Sequence, residues 1–177
     1  MQEYNCRILS KTCTILLFRI LKTKSSTSCL QYAFEYINHI LKQALDSSIS
    51  LEIVIIALIL VQRSKCSLVR TGSEPYIFSI CFMLSQKITS DYALKNWNTI
   101  LCLDKALIKK LERELLGKIA FDLSIHIKEF MFWRDCVSTI SNGVYYKEVV
   151  SSRFKRPLVY QQQDVNEMEK RRRLMMI

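Results

Sequence analysis

Glycine and proline are nearly missing, with three glycines and two prolines in 177 residues. An all-β domain needs many turns and a low-complexity body is rich in such breakers, so this scarcity excludes both as the main architecture. Histidine is scarce too: His39 and His126 lie far apart and no H-E-x-x-H run exists, which leaves metal catalysis without sequence support. No phosphate-binding glycine loop is present, and no Ser or Cys nucleophile arrangement can be assembled, so the chain is not expected to be an enzyme. The seven cysteines are odd in number, make no C-x-x-C pair and fall largely within apolar helical patterns. They read as reduced core thiols of a cytosolic or nuclear protein. Long apolar runs are absent as well. The densest, Ile53 to Val61, is nine residues, about half of the roughly 20 needed to cross a bilayer. No metal, cofactor or membrane span is expected.

What the chain does hold is apolar residues, half of its composition, in a length suited to one domain with a single core. The expected class is all-α. The net charge of +10 is uneven: residues 1–26 carry five basic residues against one acid and residues 151–177 seven against three, leaving a nearly balanced body. A nucleic-acid-binding domain would carry its basic stripe on the folded face, so nucleic acid is not the expected partner. Basic arms more often solubilise, direct nuclear entry or lie on an acidic partner, and Lys170-Arg171-Arg172-Arg173 is such a run.

Apolar spacing predicts a helix from Arg7 to Lys22, and a clean amphipathic one from Cys29 to Leu45. The stretch Leu51 to Cys66 is apolar on all sides through Val61. Its β-branched content suits a strand, but sixteen residues without a breaker, Ser50 as N-cap, Glu52 in the first turn and basic residues at the end favour a central buried helix. Ser73-Glu74-Pro75 opens another, running to about Lys87. A short helix, Leu94 to Leu101, follows, with Trp97 facing inward as a packing anchor. The strongest amphipathic pattern runs from Asp104 to Ala120, and a last helix covers about Ile127 to Ile140 before Asn142-Gly143 turns the chain. The expected organisation is a basic N-terminal arm at 1–28, a helical domain at 29–140 and a basic tail at 141–177.

Lys87 ends an apolar run that offers a solitary ammonium no obvious place, and Glu112 stands 25 residues later in the next strong helix. The two charges are expected to meet. The segment Leu84-Ser85-Gln86-Lys87-Ile88-Thr89-Ser90-Asp91 resembles the cyclin pattern of a helix ending small-x-Lys-x-x-x-Asp. Downstream, Leu111-Glu112, eight residues, then Phe121-Asp122-Leu123 resembles that family's closing helix and the aromatic-x-aliphatic step after it. With Asn96-Trp97 and the run Ala57 to Arg63, the chain is similar to single-box cyclins of the P/U type and to cyclin Y over about residues 29–125.

The resemblance implies a single five-helix cyclin box with flanking helices and basic arms, and a cyclin-dependent protein kinase as partner. Lys87 and Glu112 would be the polar centre of the kinase-binding surface, ringed by Ile88, Leu116, Phe121 and Leu123. Asp91, Arg63 and Trp97 match structural positions. Gln62 stands where the family has an acid before the arginine, so support for Arg63 from that position is absent. Two other readings stay open on sequence: a helical adaptor holding nucleic acid or an acidic surface through its arms, and a cyclin fold kept as a scaffold.

Overall fold

The computed structural model describes residues 2–23, 26–45, 50–64, 73–89 and 96–154. Asp91, Cys66 and the basic run Lys170 to Arg173 lie outside the described residues, which are all-α. Among the described residues seven helices follow one another: α1 (Gln2–Leu21), α2 (Thr27–Leu45), α3 (Leu51–Ser64), α4 (Glu74–Thr89), α5 (Trp97–Leu101), α6 (Lys105–Lys118) and α7 (Ile127–Phe154). Helices α2 to α6 come in the order that a cyclin box implies, consistent with that fold. By compactness the chain divides at 142/143 into Met1–Asn142 and Gly143–Ile177. The core and the candidate site belong to the first unit, and the described part of the second, residues 143–154, is helical.

The central element is the all-apolar α3, in which every residue from Ile53 to Val61 is buried. A helix apolar all round gains only if neighbours cover each face, and α4 is the most extensively packed of these. Phe78 and Phe82, four apart on α4, stack with ring centroids 6.0 Å apart, and Trp97 of α5 meets Phe82 edge-on at 6.2 Å. Each fully buried side chain of this size contributes about 1.5–3 kcal/mol, and the strand alternative for α3 fails because the described residues hold no other strand for it to pair with.

Two findings correct the sequence reading. First, residues 2–21 are no mere arm. Cys13 and Leu17 are fully buried in the common core, and α1 packs on α2, α3 and α4. The amphipathic pattern is blurred because Ser10, Thr12 and Thr14 are also buried. Ser10 and Thr14 escape the cost of unmet hydroxyls by donating to carbonyls one turn back, Cys6 O and Ser10 O, each at 2.8 Å. Ser10 also reaches Asn38 Oδ1 on α2 at 3.2 Å, and Thr12 meets Ser141 of α7 at 3.0 Å. The basic side chains Arg7 and Arg19 occupy the exposed face. Second, α7 continues through Asn142-Gly143 to Phe154. Glycine inside a helix costs only about 1 kcal/mol against alanine, which a long helix absorbs.

Candidate functional site

Helices α4 and α6 bring Lys87 and Glu112 together, with Nζ to Oε1 at 2.6 Å. The buried run of α4 stops at Gln86, and residues 87–89 are exposed. Lys87 therefore keeps 40% of its side chain in solvent and Glu112 keeps 21%. The expectation of an ammonium trapped in an apolar helix is corrected by one turn: the pair sits at the rim. In the isolated chain it is worth the about 0–1 kcal/mol of a surface ion pair, not the 3–5 kcal/mol lost when a buried one is broken. It would gain weight only on being covered.

Several of the apolar side chains expected at this surface are under-covered. Ile88, directly after Lys87, is 41% exposed and Phe121 is 66% exposed. Leu116, one turn beyond Glu112, and Leu123 are half-buried against the core. Trp97 is away from this surface, held inside by Phe82.

Phe121 is presented by a strained helix end. After the C-cap Ile119, the Ala120 N–H donates to Gly117 O at 3.2 Å and the Phe121 N–H to Leu116 O at 2.8 Å, the bond pattern of a Schellman ending. That ending requires a left-handed residue, usually glycine. Here Ala120 and Phe121 both have positive φ, 52° and 58°, a conformation costing about 1–2 kcal/mol per non-glycine residue. Strain of this kind persists where the surroundings over-determine it, and such places are often functional.

Arg63 supplies the over-determination. From the end of α3 it donates to Ser124 O at 2.7 Å and to Asp122 O at 3.5 Å, and its fork grips both Glu129 carboxylate oxygens at the start of α7, one through Nε at 3.3 Å. Its guanidinium also lies 3.8 Å from the Asp122 carboxylate. Asp122 in turn accepts from the Ser124 hydroxyl and, at 3.0 Å, from the Ser124 amide. These two bonds chiefly, and Arg63 after them, hold its pKa below the usual carboxylate value. The acid missing at Gln62, which is exposed, is thus replaced by Glu129 and Asp122. Arg63 ties central helix, loop 121–126 and α7 into one support for Phe121 and Leu123.

The sequence reading missed Glu129, Ser124 and the left-handed pair. The acid at Glu129, two residues into α7, was visible, but nothing in a helical pattern indicates a partner 66 residues away. On the opposite flank of α6, Leu107, Leu111 and Leu115 close a groove of about 500 Å³ with Tyr76, Ile77 and Ile80 of α4. None of the expected site residues lines it. The Lys87–Glu112 surface is open, suited to a protein face rather than to a small molecule. Among the described residues no group of three or more His, Cys, Asp or Glu side chains can hold a metal ion, and no helix is long and apolar enough to cross a membrane.

Among known proteins, the chain is similar to PHO85 cyclin-5 of Saccharomyces cerevisiae, at 39% identity over 59 residues, 32% of this chain and 26% of the relative. The match spans about a quarter of that relative's length. No family model and no solved structure matches the chain. The all-α fold is consistent with a cyclin box, and the partial similarity supports a cyclin-like relationship.

Proposed function

We propose that the chain is a single-box cyclin of the P/U type: a non-enzymatic regulatory subunit that binds a cyclin-dependent kinase and holds the kinase's regulatory helix inward, completing the active site by population shift. The observation that carries this reading is the Lys87–Glu112 pair at 2.6 Å bridging α4 and α6; Ile88, Leu116, Phe121 and Leu123 are proposed as its apolar surround. A polar pair of this sort sets orientation, because its remaining donors and acceptors fit the unpaired backbone groups at a partner's helix end. The apolar ring supplies affinity, with Phe121 as the anchor. The relative's name ties a cyclin to PHO85, which makes kinases of that kind the first partners to test. Action in the cytoplasm or nucleus, where such kinases would be met, belongs to the same proposal.

The test is binding of purified full-length chain to a panel of cyclin-dependent kinases that includes PHO85, with Glu112→Ala and Lys87→Glu alongside. The expected result is saturable binding by the wild type and a loss of at least about tenfold for each variant, or about 1.4 kcal/mol. Unchanged affinity in variants with intact helical content would sink the assignment.

A further inference from the structure

Helix α6 carries more on its candidate interface flank than Glu112 and Leu116. Lys105, Lys109 and Arg113 follow at intervals of four, so they form one row, and Glu112 lies three residues from Lys109 while Leu116 lies three from Arg113. All three are exposed, and among the described residues none meets a carboxylate within 4.0 Å, whereas Glu112 is already matched by Lys87. The flank is a row of three positive charges beside a neutral pair and an apolar ring.

Within the chain this row is only partly balanced, by Glu112 three residues from Lys109 and by the Asp104 carboxylate at the N-cap. Like charges four apart on a helix repel. Lys105 is the first residue of α6, whose first turn has no acid, so its charge also opposes the positive end of the helix dipole. The N-cap Asp104 is occupied with the amides of Ala106 and Leu107 at 2.9 and 3.4 Å. A partner face of opposite sign would relieve this repulsion.

We infer that the protein docked on the Lys87–Glu112 surface carries a row of carboxylates beside its apolar contact, in register with Lys105, Lys109 and Arg113. Four helical residues rise about 6 Å, so acids four apart on a partner helix running along α6 match the row. This rests on the kinase-binding proposal and names what selects among kinases: acidity of the segment flanking the docked helix. Rim charges of this kind act mainly on association rate and on rejection of wrong partners.

The test is real-time association of the full chain with PHO85, comparing wild type with the triple variant K105E/K109E/R113E and with Lys109→Ala alone. At low ionic strength the triple variant is expected to associate at least about tenfold more slowly, with dissociation changed by less than about twofold, and the difference should fade at about 0.5 M salt, where screening is short-ranged. Lys109→Ala separates interface from fold, because it removes one charge of the row without setting a second carboxylate beside Glu112: association is expected to slow while the thermal midpoint of the free chain stays within about 2 °C. Equal association rates for wild type and triple variant, with Glu112→Ala still abolishing binding, would overturn the acidic-row inference and leave the kinase proposal standing. Failure of the wild type to bind PHO85 or any kinase of the panel would overturn both. Loss of binding to a short RNA or duplex DNA probe by the triple variant, with kinase kinetics unchanged, would reassign the row to nucleic acid and overturn the inference too.

Discussion

Phe121 is an aromatic ring two-thirds in solvent on a backbone whose φ is 58°. Neither property helps the free chain. Phe121→Ala is therefore expected to leave the thermal midpoint within about 2 °C, since exposed substitutions stay within about 0.5 kcal/mol, while weakening kinase binding by about 2 kcal/mol or more, as for a central anchor. Titration calorimetry beside a melting curve checks both. Ala120→Gly supplies the residue the helix ending calls for, and should raise stability by about 1 kcal/mol in denaturant unfolding. Asp122 has a folded pKa below its unfolded one, so the stability it contributes is present above the ordinary carboxylate value and is lost as pH falls through the lower folded value. Ser124→Ala, which removes the largest cause, is expected to bring the Asp122 titration, followed by carboxyl NMR, further back up than Arg63→Ala does.

Arg63 acts through elements rather than at the surface. Arg63→Ala leaves the Glu129 carboxylate and two loop carbonyls without their donor, an expected loss of about 2–3 kcal/mol for charge-assisted bonds. It should also weaken kinase binding, because loop 121–126 loses its anchor. Arg63→Lys is expected to recover little of either, since a single ammonium does not span Glu129 and the carbonyls together. Elements were unevenly legible in the sequence. Helices α2, α4 and α6 were readable from apolar spacing, with Asp104 as the start of the last. Helix α3 needed length and end charges to decide against a strand. The packing of α1 was hidden by buried Ser10, Thr12 and Thr14, of which Ser10 and Thr14 bond to carbonyls of their own helix and Thr12 to Ser141 of α7. The extent of α7 was hidden by Asn142-Gly143, whose turn preference is a local bias that tertiary context overrides. At the site, the Lys87–Glu112 pairing came from motif spacing, whereas the positive φ values at Ala120 and Phe121 had no signal, because neither residue type asks for them.

Across the whole molecule, burial sorts the thiols. Cys13 and Cys81 are wholly inside, and burial pushes the Cys13 thiol far above its ordinary value, whereas Cys102 is exposed at the left-handed cap of α5. Among these three, a thiol reagent under native conditions is expected to modify Cys102 first and the two buried cysteines only on unfolding; peptide mapping by mass spectrometry reads the order. Core truncation such as Phe78→Ala should cost about 3–5 kcal/mol.

The guanidinium of Arg63 leaves the end of the central helix and closes on the loop that displays Phe121. A partner that grips that loop therefore holds the hydrophobic centre as well, and by linkage each tenfold excess of kinase over its dissociation constant adds about 1.4 kcal/mol to the chain's resistance to unfolding. If the proposed partner binds there, the lifetime of the chain would track that partner's abundance through one arginine shared between core and surface.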